Sequence, residues 1–308
     1  MIHLELKQRA SLKAISIASF LSISKFLVGL SSGSMAVISS AIDSLLDIFM
    51  SFINFLAIKK ADTPPDKNHL YGHGKVEDFA AIIQSIVIVV TGGIVVFKAI
   101  EKFIKKSTIN YSFWDIGIMV LSISISFYLS RYLNKVGKLT NSNALKADAL
   151  HYSSDLYSNA GVLISVAISY YTKIHYFDFM IALIIGFIII FSSLRILKQG
   201  VYGLTDISLS EEINKKIDEI IDAMPIPPYA GYHKLRTRTS GSKRFIDFHL
   251  LVCRKSTIDD AHELANSIEK KINENIEDVD IMIHIEPCPY ICKLTTETCR
   301  VLKMKGRV

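Results

Sequence analysis

The sequence predicts a membrane-embedded all-α bundle of six helices followed by a small α+β domain. Three observations carry that expectation. Half of the 308 residues are hydrophobic, and the mean hydropathy is +0.34. The apolar residues gather in long runs before residue 200, and the remainder is charged and polar. The later part then switches between helical and strand periodicities in the order α-β-β-α-β, an open-faced sandwich. This composition excludes an ordinary soluble protein with one core. It places six membrane helices in residues 1–200, the α+β domain in 207–290, and a tail of unassigned structure in 291–308.

A membrane-crossing helix needs about 20 mostly apolar residues. Six stretches fit: 15–30, 35–58, 79–103, 113–133, 147–171 and 176–197. Lys7 and Arg9 precede the first, as they would a cleaved leader. Lys13 and Lys25 interrupt it, so it reads as the first membrane helix instead. None of the six is purely apolar, and polar residues at such depth must face one another or a wet cavity.

Orientation follows from basic residues in the short loops. One side holds Lys7, Arg9, Lys13, Lys59, Lys60, Lys67, Lys75, Arg131, Lys135, Lys138 and Lys146. The other holds the smaller set Lys98, Lys102, Lys105, Lys106 and Lys173. Both termini are therefore expected in the cytoplasm. The net charge of +6 is largely this orientation signal and does not argue for nucleic acid.

In the polar part, 211–224 reads as an amphipathic helix, and Pro225, Pro227, Pro228 and Gly231 mark a turn. Strands are expected at 232–239 and 243–254 around a Ser240-Gly241-Ser242 turn. Residues 258–275 repeat Ala261, Leu264, Ile268 and Ile272 at helical spacing, and 279–285 alternates as a strand. The four cysteines, Cys253, Cys288, Cys292 and Cys299, form no disulfide framework and read as free thiols at a cytoplasmic end.

The chemistry concentrates in two pairs inside apolar sequence. Asp43 and Asp47 stand at i and i+4 in the second span, and His151 and Asp155 do the same in the fifth. Each pair projects from one helical face. Ionisable groups at bilayer depth are costly and are functional by default. Facing each other, they offer three carboxylates and one imidazole, a suitable set for Zn2+ and tolerable for Fe2+. A metal-free acid–histidine proton relay is the rival reading. Ser51 and Asn54 extend the polar stripe of the second span, and Asn159 that of the fifth. Asp148 reads as a charge near a helix N-terminus.

The loop after the second span brings Asp66, His69 and His73 within eight residues, a second place for a metal, although solvated loop histidines are common. In the polar domain His233, His249, His262, His284 and Glu286 fall on separate elements, and His284 and Glu286 share one strand face. Spacing alone leaves open whether these histidines converge or lie apart on the surface.

Taken together, the segments DSLLD, DKNHLYGHGK, HYSSD and GYHKLRTRTSGSKRFIDFHL resemble the cation diffusion facilitator family, in its bacterial branch of metal transporters, over the chain to about Pro289. The resemblance implies a homodimer in the bacterial inner membrane, a cytoplasmic ferredoxin-like domain, and exchange of a divalent metal for protons by alternating access. Carried onto this sequence, it implies a transport site of Asp43, Asp47, His151 and Asp155 and a loop site of Asp66, His69 and His73. It further implies a two-metal cytoplasmic cluster of His233, His249, His262, His284 and Glu286, with His249 bridging. That branch often has Gln-Asp after the last histidine. Here Ile285 offers no ligand and Glu286 has a longer reach, so the cluster is expected to be weaker or differently arranged.

The expected function is proton-coupled efflux of a divalent transition metal, with Zn2+ as substrate and regulatory ligand ahead of Fe2+, Cd2+ or Co2+. The chain is read as a transporter and not an enzyme. An imidazole ordinarily titrates at about pH 6.5, so His151 suits proton exchange. Lys75 and Asp206 are expected to pair as an interface salt bridge. Partners are a second copy, metal ions, protons and membrane lipids. A membrane-bound metal sensor and a metal-independent proton pathway are the alternatives. A nucleic-acid module is set aside because no stacking-aromatic motif accompanies Arg236, Arg238, Lys243 and Arg244.

Overall fold

A computed structural model describes residues 2–32, 35–105, 113–172, 176–224 and 229–289. The turn prolines Pro225, Pro227 and Pro228, the loop lysines Lys106 and Lys173, and the tail with Cys292 and Cys299 lie outside these residues. The chain divides into two compact units, Met1–Leu204 and Thr205–Val308.

The first unit consists of α1 (Ile2–Ser32), α2 (Met35–Ala61), α3 (Lys75–Lys105), α4 (Phe113–Leu139), α5 (Asn143–Thr172) and α6 (Tyr176–Leu204). Most helices outrun the apolar stretch that predicted them, because helical hydrogen bonding continues past the hydrocarbon into charged sequence. By length and composition α1, α2, α3, α4 and α6 are apolar enough to cross a membrane. The remaining helix, α5, carries Lys146, Asp148, His151 and Asp155, and it packs against α2, α3, α4 and α6. Burial among neighbours, rather than apolar composition, is what suits α5 to the bundle. Glycine lets α3 and α6 approach closely: a Cβ on Gly92 would meet Ile190 Cγ1 at 2.9 Å.

At one end of this unit, Lys7 Nζ lies 2.7 Å from Asp62 Oδ1 and 3.4 Å from Glu77 Oε2. All three side chains are almost fully buried. Gln8 Nε2 donates to the other Asp62 oxygen at 3.1 Å. The cluster ties the start of α1 to the end of α2 and the start of α3.

The second unit consists of α7 (Glu211–Asp222), β1 (Tyr229–Ser240), β2 (Lys243–Val252), α8 (Ile258–Asn275) and β3 (Val279–Pro287). Ser210 caps α7, and Thr257 opens α8 with a capping box to Asp260. β1 and β2 form an antiparallel hairpin closed by Gly241 and Ser242, where Gly241 takes φ +60°, and β3 joins β2 in parallel. Ile246, Phe248, Leu250 and Val252 on one face of β2 are buried with Ile217 and Ile221 of α7 and Leu264, Ile268 and Ile272 of α8. The pleat turns Asp247, His249 and Leu251 to the other face. The register sets His233 opposite His249, and His249 opposite His284, in one row across three strands.

Replacing Lys7 by Met leaves Asp62 and Glu77 buried without their cation. The expected cost is about 3–5 kcal/mol of stability. Thermal unfolding in detergent measures it, and an unchanged midpoint would show that the cluster does not hold the helix ends.

Candidate metal centres

Three clusters of ligand-bearing side chains occur among the described residues: Asp47, His151 and Asp155; Asp66, His69 and His73; and His233, His249 and Glu286. Within each, one ligand atom per residue lies within 4.8 Å of the others.

The first cluster joins α2 to α5. His151 Nε2 lies 2.9 Å from Asp47 Oδ1 and 3.9 Å from Asp155 Oδ2. Two ligands about 2.1 Å from a tetrahedral zinc ion are about 3.4 Å apart, between those two distances. The three side chains are half-buried. Asp43, one turn before Asp47, is exposed and is not part of the close cluster. Asn159 donates to the Asp155 carbonyl at 2.8 Å.

Behind the cluster lies a polar layer whose extent the sequence reading missed. Asp148, expected as a charge near a helix N-terminus, is fully buried in the second turn of α5. The predicted span began at 147, whereas the helix begins at Asn143. Asp148 Oδ1 accepts hydrogen bonds from Ser51 Oγ at 3.1 Å and Gln84 Nε2 at 3.2 Å. Ser51 also meets the Tyr152 hydroxyl at 3.0 Å, and Asn54 donates to Gln84 Oε1. All five residues are buried. Gln84 and Tyr152 sit in apolar stretches with no spacing signal, since their partners lie far away in sequence.

The loop cluster is set by an Asx-type turn. Asp66 Oδ1 accepts the backbone N–H of Asn68 at 2.9 Å and of His69 at 2.7 Å, and lies 3.1 Å from His69 Nδ1. The Asn68 and His69 amides hold the Asp66 carboxyl down at about 2. His73 is buried, and its Nε2 lies 3.3 Å from Asp66 Oδ2 without a hydrogen bond. Thr63 explains why. Its hydroxyl proton goes to the Lys60 carbonyl at 2.6 Å, so the contact of Thr63 Oγ1 with His73 Nδ1 at 3.0 Å needs the proton on Nδ1. His73 Nε2 then presents a lone pair towards a carboxylate oxygen. Two electron-rich atoms facing each other across 3.3 Å are suited to a cation.

In the second unit, Glu286 bridges two rings. Its Oε2 lies 2.9 Å from His233 Nε2 and its Oε1 lies 2.6 Å from His249 Nδ1. The longer side chain therefore reaches both. The His249 and His233 hydrogen bonds hold the Glu286 carboxyl below its usual range. His284 is exposed at the edge, its ring 4.7 Å from that of His249 and its Nε2 3.8 Å from Glu286 Oε1. His262 stands apart on the exposed side of α8, with its Nε2 3.1 Å from Asn266 Nδ2. Cys288 is buried and Cys253 half-buried, both as free thiols. Of the expected salt-bridge pair, Lys75 Nζ donates to the Leu204 carbonyl at 3.3 Å, and Asp206 pairs with Arg238 at 3.2 Å.

Comparison with known proteins accounts for most of the chain. Residues 11–205 match the cation efflux transmembrane domain, and residues 209–288 match the cation efflux protein cytoplasmic domain. The chain is 34% identical over 286 residues to the cation-efflux pump FieF of Salmonella choleraesuis, covering 93% of this chain and 94% of that protein. The FieF pump of Salmonella typhi matches at the same identity and coverage. Among solved structures, the metal-bound C-terminal domain of the CzcD transporter from Thermotoga maritima is 27% identical. That match covers 27% of this chain and 100% of that one, at a TM-score of 0.25.

Two outcomes follow from the loop. Thr63→Val removes the group that orients His73, and loop-site metal affinity should fall about 10- to 100-fold in a competition titration. Affinity within twofold of wild type would refute that role. The Asp66 carboxyl should titrate at about pH 2 by carbon NMR. Because its pKa is lowered on folding, its stabilisation of the turn is complete above the usual 3.8 and is lost as pH falls towards 2. Titration near 3.8 would show the turn to be unformed.

Proposed function

The chain belongs to the cation diffusion facilitator family of cation efflux transporters, and from that premise we propose that it exports Zn2+ from the cytoplasm in exchange for protons. The observation that carries this reading is His151 Nε2, held 2.9 Å from Asp47 Oδ1 between two helices. A ring nitrogen and a carboxylate oxygen at that distance share one proton when no metal is bound. The lone pair that holds this proton is the one a metal ion needs, so binding the ion releases the proton and returning the proton displaces the ion. The same atoms thus serve both cargoes, which favours antiport over a channel or a metal-free relay.

The transport site takes Asp47, His151 and Asp155 as placed, with Asp43 completing four ligands when the start of α2 moves inward. Imidazole beside carboxylates suits Zn2+, Fe2+, Co2+ and Cd2+, and the four-ligand set favours zinc. Asp66, His69 and His73 form the loop site. His233, His249, Glu286 and, at the edge, His284 form a regulatory site on the sheet, which His262 would join only after a rearrangement or from a second copy. The protein acts as a homodimer in the inner membrane with both termini in the cytoplasm. Metal on the sheet face favours one dimer arrangement. The similarity to cation-efflux pumps supports the direction of transport.

Flux into proteoliposomes tests the proposal, with a pH gradient and a zinc-sensitive dye inside. Wild type should carry zinc at a rate that follows the gradient. Asp47→Ala and His151→Ala should each lower the rate at least 100-fold, about 2.7 kcal/mol of lost stabilisation. Full flux in either variant, or flux that ignores the gradient, would contradict the reading.

A further inference from the structure

The exchange described above leaves one buried charge on α1 without a task. Lys25 is 7% exposed, in a helix otherwise apolar enough to span a membrane. An ammonium in such a place is costly unless something requires it. Its Nζ donates a hydrogen bond to Ser44 Oγ at 2.8 Å. Ser44 is itself buried, next to Asp43 in sequence and three residues before Asp47 on α2. The charged groups that act on the ammonium are the carboxylates of Asp155, Asp47 and Asp43. Its hydrogen bond is nevertheless to the hydroxyl, which leaves the carboxylate oxygens for other ligands.

We propose that Lys25 is a fixed positive charge that loosens the transport site's hold on its divalent ion and so permits release. This rests on Asp43, Asp47, His151 and Asp155 holding that ion. Three carboxylates around a divalent ion, with the imidazole uncharged, leave one surplus negative charge. The ammonium cancels it from outside the coordination shell. Without Lys25 the loaded site keeps that surplus in a medium of low dielectric, where each charge acts strongly. The ion is then bound more tightly in both the inward- and outward-facing states, and release slows. Ser44 is the anchor that keeps the ammonium close without letting it displace the ion. A compact ammonium on a flexible stem suits that position, and the charge is the property that matters.

The test uses the full chain with His69→Ala, His73→Ala, His233→Ala and His249→Ala throughout, so that zinc binding reports the membrane site. Zinc affinity by chelator competition and flux in liposomes are measured for Lys25→Met, Lys25→Gln and Lys25→Arg. Removing the charge should lower the Kd at least tenfold, lower KM with it, and cut the maximal rate at least fivefold. Lys25→Arg should return both to within threefold of the parent. Met and Gln differ in polarity, so either one that assembles reads the effect of charge. Unchanged or weaker zinc binding in the neutral variant that assembles would overturn the proposal. So would an arginine variant that behaves like the neutral ones, because a merely structural lysine predicts weaker binding and no joint fall in KM and maximal rate. Asp47→Ala in the same background should abolish binding. If it binds zinc as the parent does, the site assignment itself fails, a result distinct from a null effect at Lys25.

Discussion

A charged side chain within the hydrocarbon of a membrane costs several kcal/mol unless something answers it. The first unit places Asp47, His151 and Asp155 in helices otherwise built for that environment, and makes each the others' partner. That pairing explains α5, whose composition would not suit a lone span. It also explains the layer behind it, where Asp148 collects donors from Ser51 and Gln84 and so fastens α2 and α3 to α5.

The three clusters answer the same problem in different ways. In the membrane, His151 Nε2 faces a carboxylate oxygen with one proton's worth of space between them. In the loop, Thr63 puts the proton of His73 on the far nitrogen and leaves the near one bare. On the sheet, Glu286 lies within hydrogen-bond distance of two rings, so a metal that took those same two ring nitrogens would displace their protons. The first arrangement suits exchange, the second retention, and the third a response graded by proton and metal concentration.

Much of this was legible in the sequence because the signals were local. An i, i+4 pair stays on one face whatever the bundle does, and the spacing of Ala261, Leu264, Ile268 and Ile272 marks the buried face of α8. The strands that carry His233, His249 and His284 followed from alternation, whereas the row they form came from the strand register. What was not legible was non-local. Asp148 read as a charge near a helix N-terminus because the four residues before the apolar run, Asn143 to Lys146, were left out of its helix. Its partners lie 97 and 64 positions away. The reach of Glu286 to His233 depends on the strand register, and the isolation of His262 on which side of α8 packs on the sheet. Asp43 stands outside the close cluster although its spacing matches that of Asp155, since spacing fixes a face and not a distance across helices.

The central claim is that one imidazole and neighbouring carboxylates from α2 and α5 coordinate the transported ion. Zinc K-edge X-ray absorption tests it most directly, on full-length protein in which the loop and sheet histidines His69, His73, His233 and His249 are replaced by alanine. The account predicts a four-coordinate shell with one imidazole nitrogen and three oxygens at about 2.0–2.2 Å. A six-coordinate oxygen shell, a shell without imidazole, or no bound zinc would contradict it.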